Sequence, residues 1–176
     1  MSKKRFRSYC LNKLKFYSRV SNIKKDKEIC STILHIINLH KPKKILVYIP
    51  LKIEVNMNYL IKYLRRFTNI DVYVPYMKDD SFVAAKYRLP LKRKKFGIKE
   101  PNISFSYKKN EFDMIIVPIV GIDNTYRRIG FGAGMYDRFF EKLNNKPITI
   151  FTQRKLCKCN NTITSSYDIE SNYIII

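Results

Sequence analysis

The chain has 176 residues, enough for one domain that buries roughly 70% of the surface of its unfolded state. Its 35 lysines and arginines against 14 acidic residues give a formal net charge of +21, which attracts polyanions without choosing among them. The longest apolar run, Met114 to Ile122, is too short to span a bilayer, and no apolar segment follows the basic N-terminus, so we expect a soluble cytoplasmic protein with no membrane partner.

The cysteines and histidines do not form a recognisable metal site. Of the four cysteines, only Cys157 and Cys159 are close in sequence, and both histidines lie far from them. We therefore expect four free thiols in a reducing compartment, at Cys10, Cys30, Cys157 and Cys159.

The first predicted element is an amphipathic basic helix from Ser2 to Tyr17. Its apolar residues recur at helical spacing, at Phe6, Cys10, Leu14 and Tyr17. Lys3 and Arg7 lie four residues apart, so both side chains project from one face. On the residues alone, this pair fits a solvated face near a chain end.

Lys24 to Leu39 is predicted to be a second helix that ends before Pro42. Its buried stripe comprises Ile29, Ile33, Ile36 and Ile37.

Glu54 follows a predicted strand from Ile45 to Pro50. Ligand sites in open α/β sheets lie at the carboxyl ends of the strands, so Glu54 is well placed to bind a ligand. The alternative is an acid favoured by the dipole at the start of the next predicted helix, Asn56 to Phe67. The residues alone leave both interpretations open. That helix is expected to turn four apolar side chains inward, those of Leu60, Ile61, Leu64 and Phe67.

Two further strands are predicted at Asp71 to Pro75 and Ser81 to Arg88, the second antiparallel and near an edge. Six cations and no acid follow between positions 86 and 95. Such a run is usually a solvated loop, although it could also receive a phosphate or another anion.

The stretch from Asp113 to Asp137 carries the strongest functional pattern. A buried strand, Met114 to Val117, precedes Arg127 and Arg128, three glycines at alternate positions, and a helical pattern from Met135 to Leu143. Backbone N–H groups in a glycine loop can approach an anion closely, and a helix N-terminus adds partial positive charge. A tight turn without a ligand is the alternative.

Asp137 distinguishes this loop from a simple turn. It lies three residues after Gly134, in the first turn of the predicted helix, where a carboxylate could hold a cation that bridges phosphate oxygens. Neither a dinucleotide fingerprint nor a Walker loop is present. Two strands, Pro147 to Phe151 and Tyr173 to Ile176, complete the predicted sheet.

The segment from Arg128 to Arg138 resembles the R-[LI]-G-x-G-x-G-[YF]-Y-D-R signature of the 5-formyltetrahydrofolate cyclo-ligase family. Phe96 to Pro101 matches the family's F-G-I-x-E-P, and Tyr167 to Ile169 is similar to its H-D-[IV] with tyrosine in place of histidine. Matches run in order along the whole chain. Two positions depart from the family pattern: some members have lysine or glycine in place of Ala133, and the family usually has aspartate in place of Asn172.

The resemblance implies a single domain over residues 1–176 with a Rossmann-like three-layer α/β/α sandwich and a mostly parallel sheet. It implies ATP-dependent closure of 5-formyltetrahydrofolate to 5,10-methenyltetrahydrofolate, through phosphorylation of the formyl oxygen. The substrate could be polyglutamylated, and we expect a monomer.

The same resemblance assigns the site. Arg128 and Tyr136 would act in catalysis, and Asp137 and Asp168 would bind Mg²⁺, although Asp168 also fits a plain loop residue. ATP would contact Lys3, Arg7, Arg128, Ile129, Gly130, Phe131, Gly132, Ala133, Gly134, Met135 and Tyr136. The folate would contact Ile49, Glu54, Phe131, Gly132, Ala133, Gly134, Met135 and Tyr136.

Two other functions stay open at this point. The positive charge and the aromatics among the cations, such as Tyr87, Phe96 and Tyr107, also fit a nucleic-acid-binding protein on the same fold. A phosphate-binding regulator without catalysis would share every motif. Salt-resistant RNA binding would indicate the first alternative, and absent turnover the second.

Overall fold

The computed structural model describes residues 1–78, 81–93, 99–101 and 110–176. The helices in these ranges are α1 (Lys3–Tyr17), α2 (Ile23–His40), α3 (Asn58–Phe67) and α4 (Met135–Phe140). The strands are β1 (Lys44–Val47), β2 (Asp71–Lys78), β3 (Ser81–Lys86), β4 (Leu91–Arg93), β5 (Lys99–Pro101), β6 (Met114–Pro118), β7 (Gly121–Ile122), β8 (Arg128–Ile129), β9 (Ile148–Thr152) and β10 (Tyr173–Ile175).

Six strands form one sheet in the order β10-β9-β6-β1-β2-β3. The pairs among the first five are parallel, and β3 runs antiparallel to β2 at the edge. The α/β fold predicted from the sequence is therefore confirmed, including the antiparallel edge strand. Short antiparallel pairs, β4 with β5 and β7 with β8, lie outside this sheet.

Both faces of the sheet are covered, and its strand β6 is apolar and buried at every position, as expected for a parallel strand between two layers. Ile45 and Val47 pack in one core with α2 and α3, whereas Leu46 packs in a second core with Phe139 of α4. Helices thus lie on opposite faces of the sheet. The predicted isoleucine stripe of α2 is buried in the first core.

α1 packs elsewhere, on the β7–β8 pair. Phe6, Cys10 and Leu14 on its buried face form a third core with Val120 and Ile129. Ser2 caps the helix, because its hydroxyl oxygen accepts a hydrogen bond from the backbone N–H of Arg5 at 3.3 Å. This packing brings the basic N-terminal helix next to the segment that leads into the glycine loop.

The expected four free thiols are not all present. Cys10 and Cys157 form a disulfide across a sequence separation of 147 residues, whereas Cys30 and Cys159 are free and buried. The prediction failed because it used sequence spacing alone. The pairing depends on the packing of α1, which places the two Cα atoms 6.0 Å apart.

The inward position expected for Phe67 is also wrong, since this side chain is 63% exposed. Leu60, Ile61 and Leu64 are buried as predicted. Phe67 is the last residue of α3, and its ring lies 5.2 Å from the ring of Tyr63 rather than in the core.

Several predicted boundaries shift. The strand expected to reach Pro50 ends at Val47, and the helix expected to reach Leu143 ends at Phe140. Residues 94–98, which include half of the F-G-I-x-E-P match and two of the six cations, lie outside the described residues. Among the helices that the structure describes, none has the length and apolar character needed to cross a membrane.

Candidate active site

A cavity of about 350 Å³ opens at the carboxyl ends of β1, β2 and β6. This is the edge where an open α/β sheet binds its ligand. The glycine loop and the start of α4 complete the wall. Eight of the residues predicted to bind ligands line it, namely Ile49, Glu54, Arg128, Phe131, Ala133, Gly134, Met135 and Tyr136.

Further lining residues were not predicted from the sequence, namely Tyr48, Leu51, Pro75, Met77, Phe82 and Pro118. The strand-end rule could have indicated Pro75 and Pro118, because each lies at or near the carboxyl end of a parallel strand. Phe82 gave no such signal. It lies on the edge strand β3, and its ring reaches the cavity next to that of Tyr136, with centroids 4.9 Å apart.

Glu54 lies in the turn after β1, and α3 begins four residues later, at Asn58. It is therefore not an acid of the first helical turn. Its carboxylate accepts a hydrogen bond from the backbone N–H of Leu51 at 2.7 Å. Burial raises the pKa of Glu54 to about 7, and this rise exceeds the opposing effects of the Leu51 hydrogen bond and the charges of Arg128 and Arg154. The carboxyl group can thus change its charge near neutral pH.

Arg128 is a buried cation in the cavity wall, 5% exposed. Its Nε donates to the carbonyl oxygen of Pro118 at 3.2 Å, and its guanidinium carbon lies 4.9 Å from the centre of the Tyr136 ring. Burial lowers the pKa of Arg128, and Asp137 acts in the opposite direction. The geometry fixes a planar cation whose nitrogen donors can reach an anionic ligand.

Tyr136 is enclosed in the same wall. Burial raises its pKa, and its hydroxyl group is buried without a hydrogen-bond partner among the described residues. A buried hydroxyl that lacks a partner is costly unless a ligand or water supplies one. The predicted role beside a bound ligand fits this position.

The glycine loop is held close to two arginines. Arg7 of α1 donates through Nε to the carbonyl oxygen of Gly130 at 2.8 Å. A Cβ atom on Gly130 would lie 2.3 Å from Nη1 of Arg128, and one on Gly132 would lie 3.3 Å from Nη1 of Arg7. Gly132 also has φ +111°, in the region that favours glycine. The alternating glycines thus allow two guanidinium groups to lie against the backbone.

Lys3 and Asp168 form an ion pair, with Nζ and Oδ1 2.5 Å apart. The other carboxylate oxygen of Asp168 accepts the backbone N–H of Ser165 at 2.8 Å. The predicted phosphate-binding cation and the predicted metal ligand are therefore neighbours.

Asp137 faces both Arg128 and a second cavity of about 630 Å³, which Asp168 also lines. Its Oδ2 lies 3.8 Å from Nη1 of Arg128, and its buried Oδ1 has no hydrogen-bond partner among the described residues. The part of the chain that the structure describes contains no cluster of three or more His, Cys, Asp or Glu side chains. Mg²⁺ commonly uses one or two carboxylates together with substrate phosphates and water, so this pair of acids fits it.

Two residues just before the glycine loop do not line the first cavity. The side chain of Ile129 is buried in the third core with α1, so only its backbone is available to a ligand. Arg127, one of the two arginines beside the predicted loop, pairs with Glu170 and donates to the carbonyl oxygens of Ser166 and Asp168. It fixes the segment that carries Asp168.

Comparison with known proteins gives consistent results. The model of the 5-formyltetrahydrofolate cyclo-ligase family matches residues 1–176. A 5-formyltetrahydrofolate cyclo-ligase from Haemophilus influenzae is 31% identical over an alignment that covers 64% of this chain and 64% of that protein, slightly less than two thirds of the length of either.

Two solved structures share the fold. A 5,10-methenyltetrahydrofolate synthetase from Mycoplasma pneumoniae superposes with a TM-score of 0.75 at 22% identity, covering 99% of this chain and 98% of that one. The NMR structure of the Aquifex aeolicus 5,10-methenyltetrahydrofolate synthetase gives a TM-score of 0.81 at 23% identity, covering 99% and 89%. At these identities the likeness supports the architecture alone.

Proposed function

Because the chain belongs to the 5-formyltetrahydrofolate cyclo-ligase family, we propose that it converts 5-formyltetrahydrofolate and ATP to 5,10-methenyltetrahydrofolate, ADP and phosphate. One observation carries the proposal. A titratable acid, Glu54, and a buried cation, Arg128, line the same largely apolar cavity beside the glycine loop. That combination suits a flat heterocycle with polar edges next to a phosphate group.

The chemistry needs an activated formyl group. The formyl oxygen attacks the γ-phosphorus of ATP, and ADP leaves. The N10 atom of the same folate then attacks the resulting iminium carbon and loses its proton, and phosphate departs with the former formyl oxygen. Both nucleophiles belong to the substrate, so the protein contributes positioning and charge stabilisation.

Each side chain takes a role that its position supports. Arg128 stabilises charge on the transferred phosphoryl group, and Tyr136 lies between the two substrates. Arg7 and Lys3 add positive charge at the phosphates from α1. Glu54, which lines the same cavity, binds the polar edge of the pterin ring.

Asp137 and Asp168 would hold Mg²⁺. When bound, the ion would neutralise charge on the ATP phosphates. The support is the buried Oδ1 of Asp137, which lacks a partner among the described residues, and the second cavity that both acids line. Lys3 pairs with Asp168 in the structure, so the ion and Lys3 would share that carboxylate.

The direct test is the ATP- and Mg²⁺-dependent appearance of the methenyltetrahydrofolate chromophore from 5-formyltetrahydrofolate. We expect product from the wild type and from Glu28→Ala, which removes an exposed acid on α2. We expect a loss of at least about 100-fold in kcat/KM from Asp137→Ala, the order found when a group that stabilises transition-state charge is removed. Thermal unfolding of each variant checks that the fold is intact.

Absence of product from the wild type, with ATP still bound, would refute the proposal. Salt-resistant binding of RNA would then indicate a nucleic-acid-binding protein. Full activity of Asp137→Ala at low Mg²⁺ would keep the reaction and remove Asp137 from the metal site.

A further inference from the structure

The segment of residues 153–159 directly follows β9. It contacts the turn that carries Glu54 and the helix α1, and none of its residues lines the first cavity. Hydrogen bonds to the β7 region hold this segment in place. Gln153 is buried, and its side chain donates to the carbonyl oxygen of Val120 at 2.7 Å and accepts from the N–H of Cys157 at 3.1 Å. The N–H of Ile122 donates to the carbonyl oxygen of Cys157 at 3.0 Å. The 153–159 segment is therefore fixed to the β7 region on one side and continuous with β9 on the other.

Arg154 connects this segment to the turn that carries Glu54. Its guanidinium group makes a two-point contact with Asp26 of α2, at 2.7 and 2.8 Å, and its Nη1 donates to the carbonyl oxygen of Lys52 at 3.0 Å. Both side chains of the pair are only 10% exposed. Loss of one partner would leave a buried charge unpaired, so the turn after β1 depends on this arginine.

Cys157 connects the same segment to α1, the helix that carries Arg7 and Lys3. Its disulfide partner Cys10 lies on α1, three residues from Arg7 and so within one helical turn. Arg7 reaches the glycine loop at Gly130, and Lys3 on the same helix reaches Asp168. The disulfide therefore restricts the position of the helix that presents both cations.

We propose that the 153–159 segment positions the two halves of the site separately. Arg154 holds the turn that presents Glu54 to the folate, and Cys157 holds the helix that presents Arg7 and Lys3 to ATP. Both are positioning residues, since neither lines the first cavity. The assignment of folate and ATP to the two halves rests on the proposed function.

The test is a pair of variants, each of which should raise a different one of the two Michaelis constants. Arg154→Gln should raise KM for 5-formyltetrahydrofolate about tenfold while KM for ATP stays within about twofold. Cys157→Ser should raise KM for ATP about tenfold and leave KM for the folate within the same margin. Matched controls are Lys155→Gln, which removes an exposed cation from the same segment, and Cys159→Ser, which replaces a free buried thiol. Both controls should behave as the wild type.

Two further measurements guard against simple misfolding. Asp26→Asn keeps Arg154 but removes the charge of its partner, and should reproduce the folate effect at reduced size. Dithiothreitol converts the disulfide of the wild type to two thiols and becomes a cyclic disulfide itself, so it should reproduce the ATP effect without a mutation.

A parallel rise of both Michaelis constants in both variants would show a merely structural role and overturn the proposal, as would unchanged constants. Failure of the proposed function looks different, because the wild type itself would then form no product. In that case, calorimetry of ATP binding to Cys157→Ser and to the wild type still tests whether the disulfide positions α1 for ATP. Equal dissociation constants would overturn that part of the proposal.

Discussion

Glu54 has a carboxyl group in the wall of a largely apolar cavity, and this position determines its ionisation. Its pKa rises from 4.5 to about 7, mainly because burial disfavours the charged form. An acid with a higher pKa in the folded state binds more protons there than in the unfolded state. Between pH 4.5 and 7 the free energy of unfolding therefore falls as the pH rises. Above pH 7 the stabilisation that the protonated Glu54 contributes has been lost.

Glu54→Gln should remove this pH dependence, because the amide keeps the shape of the side chain without titrating. We expect the wild type to lose on the order of 2 to 3 kcal/mol more unfolding free energy than the variant between pH 4.5 and pH 8. Urea unfolding of both proteins at the two pH values measures the difference. Glu28→Gln, at an exposed position, should follow the wild type; identical pH dependence in Glu54→Gln would contradict the shifted pKa.

Single residues were predictable where they belong to a local pattern. Asp137 and Arg128 follow from the strand, loop and helix order, and in the structure Oδ2 of Asp137 lies 3.8 Å from Nη1 of Arg128. Arg154 and Asp26 were not predicted, because they meet across 128 positions of sequence. The sequence pattern does not separate Arg127 from Arg128, but in the structure Arg128 lines the cavity while Arg127 contacts the segment that carries Asp168.

At the scale of elements, the glycine loop forms one packed unit with Arg7 and Arg128. The absence of a Cβ atom on Gly130 leaves room for the guanidinium group of Arg128, which is held by Pro118 and the Tyr136 ring. The loop is therefore shaped by packing against cations as well as by backbone conformation.

Gly130→Ala should destabilise the protein by about 1 to 3 kcal/mol, the usual cost of an added methyl group in a packed region. In an Arg128→Ala background, the same substitution should cost much less because the guanidinium group is gone. Chemical denaturation of the wild type, both single variants and the double variant measures this coupling. Additive costs would mean that the contact between the methyl group and Arg128 is unimportant.

Long periodic elements were the most predictable. α1 and α2 match their predicted ranges to within one residue at each end, because each carries a regular apolar stripe. α4 ended early, at Phe140, although the helical pattern continues to Leu143. Its last predicted residues pack as a turn instead, where the N–H of Leu143 donates to the carbonyl oxygen of Phe140 at 3.1 Å.

For the whole molecule, the mostly parallel sheet with an antiparallel edge strand was predictable from the sequence, whereas the disulfide was not. Cys10 and Cys157 lie close together because α1 packs on the β7–β8 region. In the chain-entropy description, closing so long a loop stabilises the folded state by up to about 5 kcal/mol. This is comparable to a third or more of the net stability of a typical domain.

Thiol titration of the denatured protein tests the covalent arrangement. Without a reductant we expect two reactive thiols, from Cys30 and Cys159, and after reduction four. Cys10→Ser should give three thiols in both conditions, because Cys157 is then released. Four thiols in the unreduced wild type would show that the bond does not form.

The disulfide also changes the connectivity of the molecule. With partners 147 positions apart, it closes most of the backbone into a covalent ring. Cutting one peptide bond inside that ring opens it without producing two fragments. Trypsin, which cleaves after lysine and arginine, has many targets between Cys10 and Cys157. A chain nicked once there would keep its full mass on a non-reducing gel and separate into two pieces only after reduction.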